Sequence, residues 1–273
     1  MPEGYYYLIT SLPEISLSDK ELPLDSLAFR KLMQENVSEH DFELIQIIYH
    51  AYDIENLITL IKKSERKHQT FGNFSAETLH EMLSLPDTLP VFLKRFVAET
   101  RPIWDRVSEK KLINLATGFL IDWSREIENR FLRKWLYFDH NLKNLLIWLN
   151  CKKFGLDMSQ EIMGSHYEAE YLRNNRDDLD LKAWDFQFRE ALRHYANPNI
   201  GLRELIINEM RWNYLSELEE SHVFGIERLL AFAIRLLLIS RNLTDSESGE
   251  NRLLDILQKL KSKHTLPEIY SAA

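Results

Sequence analysis

An all-α fold is predicted, on three observations. Apolar residues recur at helical spacing through most of the chain, only eight glycines and eight prolines interrupt 273 residues, and residues that suit helix ends punctuate the periodic stretches. Ser38, with Asp41 three residues on, has the form of a capping box and predicts a helix over 39–63. Ser75 is a second N-cap, before AETLHEMLSL, and Pro86 and Pro90 break the chain ahead of VFLKRFVAET. From Ser108 the pattern stays helical to Phe154, where Gly155 stops it, and a run of that length is expected to bend or break near Asp139. The charge-dense stretch over 173–180 and Asn197-Pro198-Asn199 predict exposed loops, with GLRELIINEMRWNYLSEL between that tripeptide and an apolar helix over 224–241. A turn, NLTDSESGE, and an amphipathic helix, NRLLDILQKLKSK, close the chain. The opening YYYLITSL, followed by Pro13 and Pro23, reads as either a short strand or an extended arm.

Composition excludes several functions. The formal charge is −8, and the basic residues form only short clusters such as KKSERK at 62–67, a poor match for a phosphate backbone. The single cysteine, Cys151, forms no intrachain disulfide and fits a packing role in a reducing compartment. The N-terminus has neither the basic start nor the long apolar core of a signal peptide. The longest apolar run, residues 229–239, is far shorter than the ~20 residues that cross a bilayer and contains Arg235, so membrane association is expected to be peripheral. No glycine-rich phosphate loop is present. Glu77–His80 is one Glu-x-x-His pair where a ferritin-like dimetal site needs two, so no metal site is expected, and no catalytic or cofactor-binding residue is singled out. The aromatic residues, at helical spacing, are read as core.

One pattern occurs twice. Tyr49, Asp53, Asn56 and Leu60 are spaced 4, 3 and 4, and so share a helix face; Tyr137, Asn141, Asn144 and Trp148 repeat the spacing, with Leu57 and Ile61 answered by Leu145 and Leu149. A mid-helix Asn or Asp lowers helix propensity, so its expected role is to hydrogen-bond a neighbouring helix end or loop whose backbone lacks partners.

These stretches resemble a known family. YDIENLITLIKK and NLKNLLIWLNCKKFG are similar to the repeated module of the C/d family, the funnel-shaped central-stalk component of V-type and A-type rotary ATPases, and VFGIERLLAFAIRLLLISRNLTDSESGE resembles that family's closing helix and turn. The opening YYYLITSLP is similar to that of a shorter bacterial form accompanying V-type ATPases. The basic residue expected six positions after the module asparagine is Lys62 in the first copy but Asn150 in the second, and the third shows no clear Asp-x-x-Asn pair. The resemblance implies a funnel of repeated helical modules, with a trimmed third module, in a single domain over 1–273. The modules fall around 39–107 and 108–200, with a C-terminal portion over 201–273. It further implies a non-catalytic coupling component of the central stalk on the cytoplasmic face of the membrane, linking the shaft to the proteolipid ring. The alternatives are a soluble helical scaffold or regulatory binding module and, in a third class, a helical dimetal enzyme.

Overall fold

The computed structural model describes residues 4–175, 188 and 200–243. The protein is all-helical, with no strand among the described residues. In chain order the helices are α1 (Tyr6–Ser11), α2 (Ser26–Asn36), α3 (Glu39–Lys62), α4 (Ala76–Ser84), α5 (Val91–Thr100), α6 (Glu109–Ser124), α7 (Arg130–Phe154), α8 (Met158–Glu161), α9 (Tyr167–Asn174), α10 (Ile200–Glu219) and α11 (226–243). Single 3-10 turns at Pro86–Thr88 and Arg101–Ile103 flank α5, each with a proline in its first two positions.

Local chemistry sets most of the helix ends. The hydroxyls of Ser38, Ser75 and Ser108 each accept the N–H three residues on, and Gly155 stops α7 in the left-handed region at φ 66°. The capping box at Ser38 is only half formed. Its return bond goes instead to the Tyr5 hydroxyl, which accepts the Ser38 N–H at 3.3 Å and donates to Asp41.

The N-terminal segment is neither a strand nor an extended arm. It is the short helix α1, because Tyr5, Leu8, Ile9 and Leu12 recur at helical period and pack together on the larger core. The long run after Ser108 breaks at 125–129 and not near Asp139. Asn129 accepts the Leu132 N–H and so starts a new helix. Asp139 starts none: it lies inside α7 with its carboxylate on Lys143 at 2.6 Å, one turn ahead, and on Arg211 of α10 at 2.7 Å. Most of the loop expected over 173–180, the loop at 197–199 and the closing amphipathic helix lie outside the described residues.

The apolar interior forms two clusters. The larger gathers α2, the first half of α3 (Leu44, Ile45, Tyr49), α7, α9, α10 and α11. The smaller gathers the second half of α3 (Ile54, Leu57, Ile58) with α4, α5 and α6. α6, through Leu112, Ala116 and Leu120, therefore shares a core with α4 and α5, and Trp123 near its end touches both clusters. Arg235, the one charge in the apolar run of α11, is paired with Glu219 at 2.6 Å and lies over the Trp212 ring at 4.9 Å.

Candidate functional site

The eight positions singled out by their spacing lie on the two longest described helices, α3 and α7, and their polar members hold loops. In the first unit the Asn56 side chain meets the backbone of Gln69 reciprocally: Nδ2 donates to the Gln69 carbonyl at 3.0 Å and Oδ1 accepts the Gln69 N–H at 2.7 Å. One turn earlier, Asp53 accepts the backbone N–H of Asn73 on Oδ1 at 2.6 Å. Its Oδ2 takes the Asn73 side-chain amide at 2.6 Å and lies 2.9 Å from His50 Nδ1.

Between these two anchors sits Gly72. A Cβ there would stand 2.5 Å from Asn56 Nδ2 and 3.1 Å from Asp53 Oδ1, so only glycine lets the loop come this close. Arg30 of α2 closes the unit from outside, donating to the carbonyls of Phe71 and Gly72 at 2.9 and 3.0 Å. Its guanidinium lies over the ring of Tyr49, whose hydroxyl meets Ser26 at 3.0 Å.

The second unit repeats the scheme on α7. Asn144 Nδ2 donates to the Met163 carbonyl at 2.8 Å and Oδ1 accepts the Met163 N–H at 3.0 Å. One turn earlier, Asn141 Oδ1 meets His166 Nε2 at 2.9 Å. Gly164, at φ 83°, lies between them, so close to Gly118 of α6 that a Cβ on Gly118 would stand 3.1 Å from the Gly164 nitrogen. Arg173 of α9 donates to the carbonyls of Ile162 and Gly164, as Arg30 does in the first unit. Asp122 of α6 adds two bonds to Ser165, at 2.9 and 2.7 Å.

The outer members of the pattern differ between the copies. Tyr49 is fully buried, whereas Tyr137 is 44% exposed and donates to Glu168. Leu60 is half-buried on the smaller core, whereas Trp148 is buried and donates to the Asn175 carbonyl. Sequence reading missed Arg30, Arg173, Gly72, Gly164, Asn73 and His166. A glycine within about twenty residues after each Asx-x-x-Asn pair was the available signal; the arginines, one before its loop and one after, gave none.

Electrostatics separate the units further. In the second, burial drives His140 down to about 3, with Lys143 adding to the effect, and burial also lowers His166; both imidazoles are neutral near pH 7. His140 Nδ1, His166 Nδ1 and Asn141 Nδ2 are buried without a hydrogen-bond partner. Burial alone would raise the Asp139 carboxyl, but Lys143, Arg211 and His140 outweigh it and hold it below the usual carboxylate range.

Among the described residues no three His, Cys, Asp or Glu side chains cluster as a metal site, and no helix is long and apolar enough to cross a membrane. Cys151 is buried, and burial raises its thiol, which leaves it a poor nucleophile. The paired units are built from side-chain amides, carboxylates (Asp53, Asp122), imidazoles, guanidinium groups and backbone, hydrogen-bonded so as to fix loops between helices.

Comparison with curated proteins and with solved structures gave no match. A family model described as "Protein of unknown function (DUF2764)" matches residues 2–264, nearly the whole chain, and the chain belongs to that family.

Proposed function

We propose that this protein is a non-catalytic coupling component in the central stalk of a V-type or A-type ion-translocating ATPase, linking the central shaft to the proteolipid ring. The observation that carries the reading is the duplicated unit. The Asp53/Asn56 and Asn141/Asn144 pairs lie in the stretches that resemble the C/d-family module, and both module asparagines embrace a loop residue's backbone through the same two hydrogen bonds. A helix–loop unit used twice is what a fold of repeated modules requires. In this reading the protein sits on the cytoplasmic face, held to the membrane through its protein partners and using neither cofactor nor nucleic acid.

Affinity purification of the chain from its native membranes in gentle detergent, followed by mass spectrometry, tests the proposal. The catalytic, shaft and proteolipid components are expected in stoichiometric amounts. Their consistent absence, with the rotary complex intact in the same extract, overturns it in favour of a helical scaffold.

A further inference from the structure

The fold gathers basic residues that are scattered in sequence onto one end of the smaller core. The end of α3 and the loop after it carry Lys62, Lys63, Arg66 and Lys67, and the stretch from the 3-10 turn into α6 carries Arg101, Arg106, Lys110 and Lys111. Two ties bring them together: Lys62 Nζ donates to the Trp104 carbonyl at 2.7 Å, and Arg66 pairs with Glu109 at 3.1 Å. The two stretches carry eight basic residues and three acidic ones, Glu65, Asp105 and Glu109, on a chain whose formal charge is −8, and the fold adds Glu55 beside Arg66 and Lys67 and Glu161 on Lys110.

Several of these cations are already engaged, Lys110 with Glu161 and Lys111 with the Gln160 carbonyl. Lys63, Lys67, Arg101 and Arg106 are exposed and have no carboxylate partner among the described residues. Arg101 lies over the Trp104 ring at 5.8 Å, and it also stands on the rim of an open groove of about 470 Å³. Pro86, Val97, Ala98 and Pro102 give the groove an apolar lining, and Lys94 forms its other basic rim, partly neutralised by Asp87 at 2.5 Å.

We infer that this basic end and its groove form a docking surface for an acidic segment of a partner protein, one that places an apolar side chain in the groove and carboxylates on Arg101, Arg106 and Lys67. Charge complementarity selects this occupant. The interspersed Glu65 and Asp105 repel a uniformly charged phosphate polymer, and Trp104 is half-buried beneath Arg101 and does not offer a face for stacking on a base. The apolar lining offers nothing to a phosphate but does receive a leucine-sized side chain. On an acidic protein such a patch steers acidic partners to one place. The inference is independent of the rotary reading.

The test uses the full chain and a dye-labelled peptide of about ten residues alternating glutamate and leucine, followed by fluorescence anisotropy. Saturable binding is expected, weakening as salt rises from about 50 to about 500 mM. It should be lost when the peptide's glutamates become glutamine, and reduced roughly tenfold in Arg101→Glu and in Lys67→Glu plus Arg106→Glu, variants at exposed positions whose helicity is checked by circular dichroism. Lys31→Glu, the same charge change on exposed α2, is expected to leave binding unchanged. No binding by the wild-type chain overturns the proposal. So does an equal loss in Lys31→Glu, or tighter binding of a single-stranded oligonucleotide or of phosphatidylserine vesicles.

Discussion

The two loop clamps share a plan but differ in how deeply they are set. The amide of Asn56 holds the backbone of Gln69, an exposed residue, and Asp53 beside it is fully supplied by Asn73 and His50. The amide of Asn144 holds the backbone of buried Met163, and Asn141 and His166 beside it each keep a buried atom without a partner. The same hydrogen-bond pattern is thus part-buried in one place and buried in the other, although the first clamp too keeps one buried atom without a partner, Asn73 Oδ1. A donor stranded near water recovers a partner, and one stranded in the interior does not.

The sharpest way to break the comparison is to remove each amide. Asn144→Leu strands the Met163 N–H and carbonyl in the interior and is expected to cost about 3–5 kcal/mol, whereas Asn56→Leu, which releases the Gln69 backbone toward solvent, is expected to cost about 1–3 kcal/mol. Urea melts of both variants check the order; equal losses would mean that depth of burial does not distinguish the clamps, and an unchanged melt of Asn56→Leu would remove its structural role. Next is Gly72→Ala, whose methyl group would drive into Asn56 Nδ2 and Asp53 Oδ1; the expected cost is about 2–4 kcal/mol, read by thermal unfolding.

The most gradual effect is pH-dependent and belongs to the second clamp. His140 and His166 have folded pKa values below the ordinary value near 6.5, so below that pH the unfolded chain binds protons that the native state refuses. Stability is then fully present above pH ~6.5 and falls with acid, for His140 at a limiting slope of about 1.4 kcal/mol per pH unit; the lowered His166 adds in the same direction. For His140 the fall continues to about pH 3. Denaturant melts between pH 7 and pH 5 should show it, and His140→Phe should remove that residue's share of the slope. A wild-type stability flat over this range would show that the imidazoles are not held neutral.

What was legible in the sequence was local chemistry. Ser38, Ser75, Ser108 and Gly155 could be read because a cap depends on a hydroxyl or a missing Cβ within three or four residues of a helix end. The polar face of Asp53 and Asn56 was visible because helical spacing alone placed them together. α1 was missed because tyrosine and isoleucine suggest strand, while the deciding contacts of Tyr5, Leu8, Ile9 and Leu12 are with a distant core. The break at 125–129 was misplaced for a related reason: Asp139 looks like a helix breaker until Arg211, far along the chain, is brought to it. The guanidinium groups that close each clamp belong to different helices, before one loop and after the other, so no local spacing reveals them.

α3 runs unbroken from Glu39 to Lys62, with Tyr49 in one core and Ile54 in the other. Five residues, less than a turn and a half, separate the two environments. Such a strut ties the two apolar clusters together, so they are expected to unfold as one cooperative unit. A push applied at the loop beyond Lys62 would likewise travel along α3, which carries no break between the two cores.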